Sequence, residues 1–340
     1  MFRPILEKLA RREDLSEAES AAAMTEIMEG RATPAQIAGF LVGLATKGER
    51  PVEIVGLART MRAHAVGFSK TYTDVFDTCG TGGDRTGTFN ISSAAAIVVA
   101  ACGVRVAKHG NRSVSSVCGS ADVFEALGVD TQARVEHVER SLDEAGIGFL
   151  FAPTFHPSMR HAAPARRELA LRTAFNLLGP LTNPARPARQ LVGVPGPELT
   201  ELLARTLMLL GSKRAWVVHG ADGLDEISTT GHTKVSECHR GAVHTFYVHP
   251  ADFGIPKARL DQLKGADAAT NAAIVGAVLG GAPGPHRDVV LLNAAAGLFV
   301  GGHSASIQDG LVRGAAAIDS GEGARTLERM VAASRGGVPA

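Results

Sequence analysis

Aromatic side chains are scarce in this chain of 340 residues: Phe, Trp and Tyr together make up 5 %. Small residues take their place, with 39 glycines and abundant alanine, which points to closely packed helices and to sites lined by backbone. Net charge is nearly absent, at +1. No general attraction to nucleic acid or to an anionic membrane is therefore expected, and any affinity for anions must be local. Long apolar runs are missing. Stretches such as Ala94–Ala101 are far too short to span a bilayer, and Met1–Lys8 holds no apolar core of signal length. Cys79, Cys102, Cys118 and Cys238 form neither a C-x-x-C pair nor a zinc spacing. Reduced thiols, and hence a soluble cytoplasmic protein, are the expectation. There is no Gly-x-Ser-x-Gly, and the cysteines have no evident paired base. Covalent catalysis has no signature here, which leaves positioning and charge stabilisation.

What is present is concentrated in a few polar segments. Lys108-His109-Gly110-Asn111-Arg112-Ser113-Val114-Ser115-Ser116 gathers cations, an amide and hydroxyls around a glycine without one carboxylate. It is poor helix material and too polar for a core strand, but suited to wrapping a phosphate with side chains and backbone N–H groups. Just upstream lies the glycine turn Cys79-Gly80-Thr81-Gly82-Gly83-Asp84. A dinucleotide fingerprint would need a third glycine where Arg85 stands. Gly82 and Gly87 have P-loop spacing, but Thr88 occupies the lysine position, so an NTPase would lack its phosphate cation. Two phosphate-friendly loops so close together imply a ligand with more than one phosphate. Asp84 would be repulsive there unless Mg²⁺ or ribose hydroxyls satisfy it; otherwise it is a turn-forming residue.

Two further segments carry chemistry. His219-Gly220-Ala221-Asp222-Gly223-Leu224-Asp225-Glu226 follows an apolar strand, and its adjacent carboxylates can present oxygens to Mg²⁺. Taken alone, a solvated acidic loop is the plainer reading; beside two phosphate loops, metal binding is favoured. Arg160, Arg166, Arg167 and Arg172 meet a single acid, Glu168. One of them could hold a carboxylate substrate in bidentate fashion, while most of the four belong to a basic helix face. The turn Leu177–Pro184 would rigidify an adjoining wall.

The chain order predicts a small all-α unit over residues 1–66 and an α/β unit over 70–340 with a mostly parallel central sheet. Ser16 and Glu19 fit a capping box; Thr33, Pro34 and Gln36 serve as N-cap, N1 and N3 of the next helix; a third starts near Pro51. An apolar face left on so small a unit commonly packs on a second copy, so a homodimer is expected through it, joined by helices near 160–190. Strands are predicted at 75–78, 104–107, 148–151, 215–219, 243–248 and 289–292. Helices are predicted at 94–101 (N-capped by Ser92 or Ser93), 135–145, 197–210, 266–279 and 307–320. The polar loops then sit at strand C-terminal ends, where open α/β sheets bind ligands.

In combination, Gly80–Asp84, Asn90–Ser93, Lys108–Ser116, Asn176–Pro184 and Gly223–Glu226 resemble the anthranilate phosphoribosyltransferase family in order and spacing, over nearly the whole chain. The resemblance implies a homodimer and Mg²⁺-dependent transfer of a phosphoribosyl group from 5-phosphoribosyl 1-diphosphate (PRPP) to anthranilate, in tryptophan biosynthesis. By matching position it implies a PRPP site of Gly80, Gly83, Asp84, Thr88, Asn90, Ile91, Ser92, Ser93, Lys108, His109, Gly110, Asn111, Arg112, Ser113, Val114, Ser115, Ser116 and Ser120. It implies anthranilate contacts from Gly80, Asn111 and Arg166, and Mg²⁺ (two ions per subunit) on Ser92, Asp225 and Glu226. Val117 and His232 depart from the pattern beside these motifs. Two rivals are a pyrimidine-nucleoside phosphorylase, which would not need the acidic pair, and a non-catalytic nucleic-acid-binding paralogue, which the charge opposes.

Overall fold

A computed structural model describes residues 2–113 and 117–335. Four helices come first: α1 (Phe2–Ala10), α2 (Glu17–Met28), α3 (Pro34–Lys47) and α4 (Pro51–Ala63). Their starts are set locally. Ser16 Oγ accepts the Glu19 N–H while Glu19 accepts the Ser16 N–H, and Thr33 and Gln36 repeat the exchange ahead of Pro34. Each box satisfies N–H groups that the first helical turn cannot pair for itself.

The α/β part runs β1 (Phe76–Gly80), α5 (Ile91–Ala101), β2 (Val106–Gly110), α6 (Ser120–Ala126), α7 (Val135–Glu144), β3 (Ile147–Phe151), α8 (Ala152–Phe155), α9 (Ala163–Leu169), α10 (Ala174–Leu177), β4 (Arg189–Gly193), α11 (Glu198–Leu209), β5 (Arg214–Gly220), β6 (Thr233–His239), β7 (Ala242–Val248), α12 (Ala268–Leu279), α13 (Pro285–Gly301), α14 (Ile307–Asp319) and α15 (Glu322–Ser334). The strands form one sheet in the order β3-β2-β1-β4-β5-β6-β7. The first five pair in parallel, and β6 and β7 add an antiparallel hairpin at one edge. Arg240 and Gly241 both take positive φ in its two-residue turn, which matches the twist of the strands.

Alternation along the strands divides the core. Leu191, Trp216 and Val218 face a cluster shared with α5, α12 and α13, while Val192, Val194, Ala215 and Val217 face the other way. That second face packs on α11 and is continuous with α1–α4 and with Ala162, Ala165, Phe175 and Leu181 from the 160–190 region. No helix among the described residues is long and apolar enough to cross a membrane.

Three sequence expectations are corrected. Residues 289–292 lie inside α13, not in a strand: a four-residue apolar run is compatible with either, and here it is one turn of a 17-residue helix. The second strand is Val106–Gly110 rather than 104–107, so Lys108 and His109 belong to the sheet interior despite their polarity. The N-cap of α5 is Asn90, not Ser92 or Ser93, which fall within its first turn. The Asn90 amide points elsewhere, and the Ser92 N–H is instead taken by a distant carboxylate, as shown below.

Candidate active site

The sheet order places the site. From β1 the chain moves outward through β2 to β3, then returns to the other side of β1 with β4. Crossovers therefore leave in opposite directions at β1 and β4, and the crevice beyond their carboxyl ends is where such sheets bind ligands. The glycine turn continues from β1, the Lys108 segment leaves from β2, and the acidic loop leaves from β5. All three meet at that edge.

Asp225 and Glu226 enter it because glycines let them. A Cβ on Gly80 would come within 2.5 Å of Asp225 Oδ2, and one on Gly193 would overlap the Asp225 backbone carbonyl. Gly193→Ala is expected to cost about 2 kcal/mol by overpacking, read as a lower Tm, with a larger loss of activity because Asp225 is displaced. A melt and a kcat/KM both equal to wild type would contradict this close approach.

Glu226 Oε1 accepts the Ser92 N–H at 3.0 Å, so the acid caps α5 from 134 residues away. This leaves the Ser92 hydroxyl free of capping duty, and Lys108 Nζ lies 3.4 Å from it. Withdrawal from water pushes both carboxyls up, Asp225 further by the neighbouring Asp84 and Glu226 further by Asp225. Lys108 and the Ser92 N–H oppose the rise at Glu226. Asp84 itself accepts from the hydroxyl of Thr86. Asp225 and Glu226, buried beside Asp84 with one lysine, have too little positive charge around them to ionise together, a donor set that fits a divalent cation. Among the described residues no group of three or more His, Cys, Asp or Glu could hold a metal unaided. Hydroxyls, water and ligand oxygens must complete the shell, as they commonly do for Mg²⁺.

Lys108 is 1 % exposed and donates to the Thr78 carbonyl at 2.6 Å. Its charge is set between the acidic edge and Asp77. Burial pushes the Asp77 carboxyl up, and Lys108, an Asn183 hydrogen bond and His109 oppose the shift. Asn183 Nδ2 bridges Asp77 and the Ala107 carbonyl, so the Gly179–Pro184 turn is tied to β1 and β2. His109 donates from Nδ1 to the Gly179 carbonyl at 3.0 Å, and burial holds it below the usual histidine value. It is a neutral side chain rather than a third cation of the loop. Its Nε2 is buried without a partner, as are both ring nitrogens of His156, whose ring centroid lies 5.2 Å away. Burial carries His156 down to about 3. Burial likewise raises all four thiols, which leaves no thiolate nucleophile.

Beyond β2 the segment turns outward. Arg112 is half-exposed and paired with Asp122 at 2.8 Å and Glu125 at 2.6 Å, so its charge is engaged by acids here rather than offered to an anion. Asp122 also accepts the N–H groups of Ser113 and Gly119, closing the loop at both ends. The Asn111 carbonyl accepts from Ser120 Oγ, and a Cβ on Gly110 would overlap that oxygen. Val114, Ser115 and Ser116 lie outside the described residues. On the other loop Gly83 takes φ +85° with Arg172 against it, and Arg172 donates to the Gly82 carbonyl at 3.0 Å. Thr88 bridges to Lys264. Ile91 is buried in the core and can meet a ligand only through backbone, whereas the buried Ser93 hydroxyl has no partner.

Arg166 on α9 stacks on Phe175, 5.4 Å from the ring centroid. Burial lowers its guanidinium from the ordinary value, and among the described residues no carboxylate pairs with it. It makes no hydrogen bond to Gly80 or Asn111, so the three residues expected at the acceptor are not joined directly. A part-buried arginine without an acid is nonetheless suited to an incoming carboxylate.

Comparison with known proteins agrees with this geometry. A glycosyl transferase family α/β domain matches residues 72–324, and the helical bundle domain of the same family matches residues 3–65. An anthranilate phosphoribosyltransferase of Moorella thermoacetica is 54 % identical over 332 residues, covering 98 % of each chain. The chain belongs to the anthranilate phosphoribosyltransferase family. Another anthranilate phosphoribosyltransferase, from Symbiobacterium thermophilum, is also 54 % identical, over 97 % of this chain and 96 % of its own. Among solved structures, that of the Thermus thermophilus enzyme superimposes with a TM-score of 0.92 at 44 % identity, covering 97 % of this chain and 99 % of its own. The Saccharomyces cerevisiae anthranilate phosphoribosyltransferase in complex with PRPP and Mg reaches 0.89 at 27 % identity, covering 98 % of each.

Sequence reasoning about this phosphoribosyltransferase missed Asp77, Asn183 and His156, and placed Arg172 only among the four arginines open to a carboxylate, whereas it donates to the Gly82 carbonyl. Asp77 and His156 stand alone among apolar neighbours, a pattern that elsewhere marks only a satisfied core polar residue. Asn183 had a signal, since it lies in the Gly-Pro-Leu-Thr-Asn-Pro turn already read as a wall.

Proposed function

We propose that this chain transfers the phosphoribosyl group of PRPP to the amino group of anthranilate, giving N-(5-phosphoribosyl)anthranilate and diphosphate in tryptophan biosynthesis. The observation that carries the reading is the meeting of Asp225 and Glu226 with the glycine turn and the first turn of α5. A site for free phosphate and a nucleoside would have no use for that acidic set beside its phosphate loops.

Ser92, Asp225 and Glu226 would hold Mg²⁺, with Asp84 at hand for a second ion. Mg²⁺ held there would supply neutralisation of the diphosphate charge; the bond from ribose C1 to the leaving oxygen breaks as the amine bonds to C1. The chain supplies the rest. The glycine turn beyond Thr81 offers backbone N–H groups to the phosphates, while the first-turn N–H groups of α5 are held by Phe89, Glu226 and Asn90. Lys108 keeps the acidic edge from repelling them. Arg166 holds the anthranilate carboxylate, with the unpartnered nitrogens of His109 and His156 as further polar contacts. The neutral aromatic amine attacks C1 with its lone pair and afterwards releases a proton, so no strong base is needed. Holding the amine near C1 with water excluded supplies much of the acceleration.

Two copies associate, in this reading, through the helical unit, where Val42 and Val52 are exposed; sedimentation equilibrium should return twice the chain mass. The function is tested by diphosphate release. One equivalent should appear per anthranilate consumed, only when PRPP, anthranilate and Mg²⁺ are all present. Turnover of uridine or thymidine with inorganic phosphate instead would replace this reading by the nucleoside phosphorylase.

A further inference from the structure

A segment remote in sequence is bonded to the chain that follows the glycine turn. The Phe89 N–H donates to the Leu263 carbonyl at 3.2 Å, and the Gly265 N–H donates to the Gly87 carbonyl at 3.0 Å. Thr88 and Lys264 form the bridge between them, and Lys264 Nζ donates to the Thr86 carbonyl. The chain then enters α12, and Asn271, one turn in, is 1 % exposed.

The Asn271 side chain has no freedom of orientation. Its Oδ1 accepts the Ala266 N–H at 2.8 Å, which forces Nδ2 toward Asn90 Oδ1 at 3.0 Å. With its oxygen occupied, Asn90 must aim Nδ2 at the Cys118 carbonyl, 3.2 Å away, at the far end of the Lys108 segment. Gly265 is where the packing permits this, since a Cβ there would overlap Asn271 Oδ1. Two amides thus connect α12, the N-cap of α5 and the end of the lysine loop, and Asn271 also hydrogen-bonds the Cys118 thiol directly.

We propose that Asn271 is a positioning residue for PRPP, acting on Asn90 and Cys118 to set the spacing between the glycine turn and the Cys118 end of the lysine segment; this rests on the function proposed above. It touches no substrate. Its loss lets the Asn90 amide rotate and releases the Cys118 end of the loop, so the phosphate contacts loosen while the anthranilate side stays in place.

The test is PRPP binding in the presence of MgCl₂, by titration calorimetry, for wild type, Asn271→Asp, Asn271→Ala, Asn90→Ala and the Asn271→Ala/Asn90→Ala double variant. Asn271→Asp keeps the size and the acceptor for Ala266 but cannot donate to Asn90, so it reports even if the alanine variant folds poorly. The expected result is a Kd for PRPP raised about tenfold in each Asn271 variant, with KM for anthranilate within about twofold. The effect in the double variant should fall short of the product of the two single effects, because both residues act on Cys118. An unchanged PRPP Kd with a lowered Tm would make Asn271 merely structural and overturn the proposal. So would effects that multiply in the double variant. If wild type itself does not bind PRPP, it is the functional reading that fails.

Discussion

Asp225→Asn combined with Glu226→Gln should lower kcat/KM by about 10³-fold, equivalent to about 4 kcal/mol of lost transition-state stabilisation. The two acids are the anionic centre of the cleft. Their carboxyls are pushed up by withdrawal from water, Asp225 further by Asp84 and Glu226 further by Asp225, so a divalent cation is the natural partner that lets them ionise. Amides of the same shape keep the packing against Gly80 and Gly193 but offer a metal much weaker oxygens. Activity should then need far more Mg²⁺ to reach its plateau. In metal-free buffer the double variant should melt no lower than wild type, since it removes mutual repulsion among Asp84, Asp225 and Glu226. That separates lost metal binding from misfolding. Activity that titrates with Mg²⁺ as in wild type would refute the assignment.

Arg166→Ala should raise KM for anthranilate by about 100-fold, in line with the 2–5 kcal/mol typical of removing one partner of a hydrogen-bonded charge pair. KM for PRPP should change far less. The argument rests on what surrounds this guanidinium: it is part-buried and stacked on Phe175, and among the described residues no acid pairs with it. Arg172, by contrast, is committed to the Gly82 carbonyl, and Arg112 to Asp122 and Glu125. Arg166→Lys should recover only part of the loss, because a point charge replaces a bidentate fork. Equal changes in both KM values would count against a carboxylate partner and for a general disturbance of α9.

The α-then-α/β order was legible because its punctuation is local. Ser16–Glu19 and Thr33–Gln36 announce helix starts, and glycines end strands at the ligand edge. The acidic pair and the two loops were legible as residue types and spacing. What could not be read was anything decided by distant partners. Glu226 caps α5 from another crossover, which is why Ser92 and Ser93 were misjudged as caps. Lys108 looks like a loop cation because its counter-charges, Asp77 and Glu226, stand in other segments. The Val289–Leu292 run has the composition of a strand, and only its place in α13, beneath the sheet, decides otherwise. Strands β4 and β6 escaped notice because Gln190, Ser236 and Glu237 interrupt the alternation that marks strands.

The most direct measurement of the central claim is the fluorescence of anthranilate mixed with PRPP, MgCl₂ and the protein. Alkylation of the amine by ribose changes the fluorophore, so the account predicts a steady loss of anthranilate emission that stops when either PRPP or Mg²⁺ is withheld. Emission that stays constant with all three present, from protein that is folded, would contradict it.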